Sequence, residues 1–135
     1  MIDTTIESIH LCDQRYETLG DYYYDKDNIR NFKISKTGND LYDDLIFIHE
    51  FIEEVLTRNK GITEEEIMKF DLKVEEDIEN GKLPIETEPG DLIDSPYRLQ
   101  HKIAENVEKL ILEHLDIDFD EYNTNIINLF KKDAY

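Results

Sequence analysis

The sequence predicts an α+β domain, a small N-terminal antiparallel β-sheet built on a hairpin and followed by about four helices. Three observations carry this expectation. Apolar alternation and turn residues fill the chain up to Ser35. From Asp40 onward, apolar residues recur at three and four. Capping chemistry stands at the expected helix ends. Residues 1–135 read as a single domain, because no linker or internal repeat interrupts them. The hydrophobic fraction of 39% is modest beside a charged fraction of 36%, yet the periodic Ile, Leu, Phe and Tyr argue for a folded chain.

The first strand is expected in "TIESIHL" (Thr5 to Leu11), where Ile6 and other β-branched residues favour extended backbone. Gly20-Asp21 turns the chain into a hairpin whose strands are "YYY" and "NFKIS", with Asp25 to Asn28 between them. The first helix is expected from about Asp40 to about Asn59. Asn39 or Asp40 caps it and Lys60-Gly61 closes it. Its apolar stripe is Leu41, Leu45, Ile48, Ile52 and Val55. A second helix opens on a Thr63/Glu66 capping box, buries Ile67, Phe70 and Val74, and ends near Gly81. A loop with Pro84, Pro89 and Gly90 runs to Ser95. Ser95 as N-cap and Pro96 at the first position start a third helix, which runs to about His114 and buries Tyr97, Ala104, Val107, Ile111 and Leu115. A last helix spans about Asp120 to Lys132, with Tyr122, Ile126, Ile127, Leu129 and Phe130 inward.

Charge narrows the partners. Fifteen basic residues against thirty-three acidic ones leave a net charge of −18. Such a surface repels nucleic acid phosphates and anionic membranes, and suits cations, metal ions or basic partner proteins, the expected partner being a protein or peptide. Cys12 is the lone cysteine, read as a packed thiol, so no internal disulfide forms and a reducing compartment is expected. The first residues do not resemble a signal peptide, and uninterrupted apolar runs reach only about four residues, far short of a membrane span. These features predict a soluble, cytoplasmic protein.

The chemistry concentrates in "IHEFIEE". His49 and Glu53 stand at i,i+4 on one shoulder of the first helix, with Cβ atoms about 6 Å apart. Two side chains so placed can grip one ion, as in the H-E-x-x-H signature, where the intervening Glu serves as general base toward water. Here Glu50 takes that place, and Glu53 stands where a histidine would. A carboxylate is a legal zinc ligand, and three protein ligands make a catalytic site. An acidic helix contains H-E-x-x-E by chance fairly often, and the plain alternative is a His49–Glu53 hydrogen bond. The third helix adds the discriminating feature. In "QHKIAENVE", His101, Glu105 and Glu108 repeat the pattern at i, i+4 and i+7. The expected metal set is therefore His49, Glu53 and His101, with Glu105 as fourth ligand and Glu50 as base. Asp91, in the "TEPGD" turn, is placed to orient a ligand histidine. Zn²⁺ is the expected ion, with Mn²⁺ or Mg²⁺ as alternatives.

Three functions follow from these residues. The first is a metal-dependent hydrolase, with an amide bond as substrate. The second is a non-enzymatic acidic interaction protein binding a basic host or phage partner. The third is a Mg²⁺-dependent nucleoside triphosphate pyrophosphohydrolase, using Glu50-x-x-Glu53-Glu54 and Glu105-x-x-Glu108. The N-terminal sheet is out of place in the all-α family of such enzymes. No phosphate-cradling glycine loop and no G-x-S-x-G elbow occurs.

The ordered set "TLGDYYY", "IHEFIEEVL", "GITEEEIMKFD", "EPGD", "SPYRLQH" and "DFDEY" resembles a family of small uncharacterised proteins from tailed bacteriophages and prophages. This resemblance spans most of the chain and would place the protein in a host cytoplasm. A strand hairpin ahead of an H-E-x-x helix is also similar to the minimal core of zincin-type metallopeptidases. That likeness implies an edge strand that binds extended substrate beside the metal. It would give ligand positions to His49 and Glu53, the base to Glu50 and the third ligand to His101. Glu53 in place of a second histidine departs from that pattern.

Overall fold

The computed structural model describes residues 1–133. Three strands precede four helices: β1 (Thr4–Ile9), β2 (Gly20–Tyr24), β3 (Arg30–Ser35), α1 (Asp40–Lys60), α2 (Glu64–Glu79), α3 (Arg98–His114) and α4 (Phe119–Asp133). Short 3₁₀ turns at Leu11–Asp13 and Pro89–Asp91 join them. The α+β order is the expected one. Among the described residues, no helix is long and apolar enough to cross a membrane.

The sheet differs from expectation in one respect. β2 and β3 form the antiparallel hairpin, Tyr22 opposite Phe32. β1 joins the far edge of β3 in parallel, Ile6 opposite Phe32, giving the order β1-β3-β2. The segment after β1 crosses the sheet before β2 begins, so β1 pairs with β3 and not with β2, as it would in a simple meander. That segment is fastened underneath: Gln14 Nε2 donates to Lys33 O and Ser35 Oγ, and Arg15 pairs with the buried Asp21. Cys12 lies exposed there rather than packed.

The other face of the sheet receives α1. Phe32 is fully buried and meets Phe47 edge-to-face at 5.3 Å. Ile34, Leu45, Ile46, Leu112, Tyr122 and Ile126 complete the core. Asn39 caps α1 by accepting the Tyr42 N–H, and Gly61 ends it at a φ of 74°, a left-handed conformation that glycine adopts without strain. Thr63 and Glu66 close the capping box of α2.

Two stripes are displaced from expectation. Leu112 is buried in α3 and Leu115, which follows its last turn, is exposed; α3 itself starts at Arg98, after a turn through Ser95, Pro96 and Tyr97, and not at Pro96. In α1, Ile48, Ile52 and Val55 are only half-buried, while Glu53, Glu54 and Thr57 are buried. A helix hides carboxylates only when partners satisfy them, so the C-terminal half of α1 has been committed to polar contacts.

Glu54 shows one such commitment. Its carboxylate accepts from Arg30 at 2.8 Å, from Arg58 at 2.8 Å and from the Tyr24 hydroxyl. Arg30 also reaches Thr4 Oγ1. All three strands are thereby tied to α1 at one buried point.

Candidate metal centre

α1 and α3 pack side by side with their His/carboxylate shoulders together. His49 Nε2, Glu53 Oε2 and His101 Nδ1 form a triangle with sides of 2.5, 2.7 and 3.1 Å. Ligands on a tetrahedral Zn²⁺ with bonds near 2.0 Å stand about 3.3 Å apart. The three donors therefore need to open by less than about 1 Å to seat an ion. The 3.1 Å between the two imidazole nitrogens falls within reach of one ion. Two imidazoles and a carboxylate are also a donor set found in catalytic zinc sites.

Each histidine is backed on its other nitrogen. Glu108, buried on α3, bonds His49 Nδ1. Glu88 and Asp91, from the turn before α3, lie 3.1 and 3.2 Å from His101 Nε2. Carboxylates in this position fix the ring orientation of metal-bound histidines and raise their basicity. Gly90 makes the approach on His101 possible: a Cβ there would stand 2.4 Å from the imidazole Cγ. Gly20 does the same for Glu50, whose Cγ would lie 2.5 Å from an added Cβ.

The electrostatics follow from this crowding. Burial pushes the Glu53 carboxyl up, but His49 and His101 outweigh it and hold the group down at about 2. Burial opposes charge on His49 and His101 as well; Glu53 and Glu108 overcome it at His49, and Asp91, Glu53 and Glu88 at His101, so both rings are raised well above the usual imidazole range. Asp91 is lowered, first by its hydrogen bond to His101. Glu50 is raised well above the carboxylate range, by burial and then by the charge of Glu53. A divalent cation held by the triangle would oppose that last shift and favour the carboxylate form a base needs.

The expected site residues are thus placed as follows. His49, Glu53 and His101 come together, and Glu50 lines the cavity beside them. Glu105 does not join them. It lies beyond the far nitrogen of His101, 3.8 Å from Nε2, and pairs with Lys109 at 3.0 Å. It is grouped instead with Glu88, Asp91 and that nitrogen. The reason is helical phase, since Glu108, one turn later on α3, is the residue that faces α1. Glu54 spends its oxygens on Arg30, Arg58 and Tyr24, so it supplies no ligand to a paired E-x-x-E magnesium site.

Two contributors escaped the sequence reading. Glu88 lay in the quoted turn but had no helical spacing to mark it. Asp71 on α2 accepts from the Tyr97 hydroxyl at 2.7 Å, and Tyr97 stands edge-on to His101 at 6.3 Å. No local pattern links these residues. Burial pushes Asp71 up to about 7, helped by the charges of Glu53 and Asp21 and opposed by the Tyr97 hydrogen bond. A carboxyl raised on folding favours the folded state below its unfolded pKa near 4, and that contribution is lost as pH rises through about 7. Metal-free Asp71→Asn is therefore expected to gain stability relative to wild type between pH 4 and 8. Urea unfolding at both pH values checks this, and an equal difference at the two would contradict it.

The site opens into a cavity of about 460 Å³ bounded by β2, α1, α2, α4 and the loop at 85–90. No protein-family model, curated protein or solved structure matches the chain, so the reading of this site rests on its own geometry.

Proposed function

We propose that the protein is a metal-dependent hydrolase acting on an amide bond, with Zn²⁺ as its ion. The carrying observation is the convergence of His49, Glu53 and His101 from two helices, each histidine being backed by a carboxylate. When bound, the ion would supply Lewis acidity for water and for the substrate carbonyl. The chain's residues do the rest. His49, Glu53 and His101 hold the ion, and Glu108, Glu88 and Asp91 orient the rings. Glu50 accepts a proton from water at the cavity wall. β2 is a sheet edge that lines the same cavity, which suits an extended peptide.

Elemental analysis of untagged protein, with thermal shift on adding Zn²⁺, Mn²⁺ or Mg²⁺, tests the reading. About one equivalent of zinc and a clear upward shift are expected. No ion and no shift with any of the three would sink it. The second reading, an acidic module that binds a basic partner without catalysis, is favoured by the carboxylates around the cavity mouth. It is distinguished by a cavity that binds its partner equally well without metal and never cleaves it.

A further inference from the structure

The cavity next to the triangle has a composition the metal does not explain. Among the described residues, twelve of those lining it are Asp or Glu. Arg15 is the only Lys or Arg lining it among the described residues, although the chain carries fifteen. That guanidinium is already engaged, 2.6 Å from Asp21 and 4.5 Å over the ring of Tyr23. Glu53 and Glu108 answer the histidines, but the mouth carboxylates do not. Glu17, Glu64, Glu65 and Glu86 are exposed around the opening, and among the described residues none of them faces a lysine or arginine within ion-pair distance. Deeper in, the lining turns apolar: Ile46, Val74, Tyr122 and Ile126 are buried there, with Met68 and Ile127 half-buried.

Two physical consequences follow. A concave, low-dielectric wall focuses the field of its carboxylates into the opening and draws cations there. A mouth of like charges gains when an arriving chain neutralises it, whereas a second acidic chain is repelled. The apolar interior in turn gains only from an apolar group. A small cation alone leaves the interior unsatisfied, and an acidic peptide meets the mouth at a cost.

We infer that the cavity takes a cationic peptide segment, an apolar side chain entering between α2 and α4 while flanking Lys or Arg residues meet Glu17, Glu65 and Glu86. This deepens the hydrolase reading and rests on it for the placing of the cleaved bond, while the binding itself needs no metal chemistry.

The test is fluorescence anisotropy with short labelled peptides, a central Leu flanked by Lys or by Glu, titrated with wild-type protein both zinc-free and zinc-loaded. The Lys peptide is expected to bind at least about tenfold more tightly than the Glu peptide, and to weaken as salt is raised from about 50 to 500 mM. Changing the central Leu to Ser is expected to cost about tenfold. Glu65→Gln/Glu86→Gln should weaken the Lys peptide several-fold, and Glu113→Gln/Glu121→Gln, exposed but away from the cavity, should not. Equal affinity for the Lys and Glu peptides, no binding of either, indifference to the central residue, or equal effects of the two double variants would each overturn the inference. Cleavage without charge preference would leave the hydrolase reading standing and remove this one. Selective binding without zinc uptake or cleavage would do the reverse.

Discussion

His101→Ala is expected to abolish zinc binding, and Glu50→Gln to leave zinc bound while lowering hydrolysis by about 100-fold or more. The two variants separate holding an ion from using it. Of the three converging donors only His101 comes from α3, and without it His49 and Glu53 offer two donors from one helix turn. Two donors do not make a structural or a catalytic zinc site. Glu50, by contrast, is not one of the three converging donors. Its amide replacement keeps the shape against Gly20 and removes the proton acceptor. Glu108→Gln should lie between the two, with metal affinity down about 10- to 100-fold, since it would act on an ion only through its contact with His49. Isothermal titration with zinc, alongside turnover of a cleavable Lys/Leu peptide, gives both readouts. Zinc affinity unchanged in His101→Ala would end the assignment of the site. Full turnover in Glu50→Gln would end that of the base.

The second large effect concerns folding. Glu54→Ala is expected to destabilise the protein by about 3 to 5 kcal/mol, because Arg30 would remain buried without its counter-charge. Arg30 is 3% exposed and Glu54 is 1% exposed, so water cannot replace the lost partner. Thr4 Oγ1 would be the remaining side-chain acceptor for the guanidinium. For a chain of this size the loss corresponds to a Tm lower by about 10 to 20 °C. Arg58→Ala removes a partner of the same carboxylate, but that arginine is 40% exposed, and its loss should cost under about 1 kcal/mol. Replacing the pair together, Arg30→Met with Glu54→Leu, should recover much of the loss of the single variant, since the buried charge and its desolvation both disappear. Calorimetric or urea unfolding of the three variants checks the order. A Glu54→Ala variant as stable as Arg58→Ala would show that the buried pair does not hold the strands to α1.

Local chemistry made much of this legible. Asn39 and Lys60-Gly61 bracket a stretch with helical periodicity, and α1 runs between them. The Thr63/Glu66 box marks the start of α2 within a residue. The i,i+4 spacing of His49 and Glu53 is fixed by the helix itself, so their common side follows from the sequence. Where such signals compete, the reading slipped. Ser95-Pro96 has the chemistry of a helix start, but the chain spends it on a turn and begins α3 at Arg98. The apolar stripe of α1 is real at Leu45, yet further along the helix buries Glu53 and Glu54 in preference to Ile52 and Val55. Hydrophobicity ranks side chains by transfer from water and does not see a partner waiting across the interface.

By itself the sequence determined the α+β order, both ends of α1 and the start of α2, the acidity of the surface and the pairing of His49 with Glu53. Each of these depends on residues within a few positions of one another or on composition alone. The tertiary structure decided which strand β1 pairs with and that Glu54 answers Arg30. It also brought His101 to Glu53 and turned Glu108 toward His49, with Glu105 left on the far side of the ring. Those outcomes depend on the rotation of α3 about its axis against α1, which is set by packing across about fifty residues of chain and leaves no local trace.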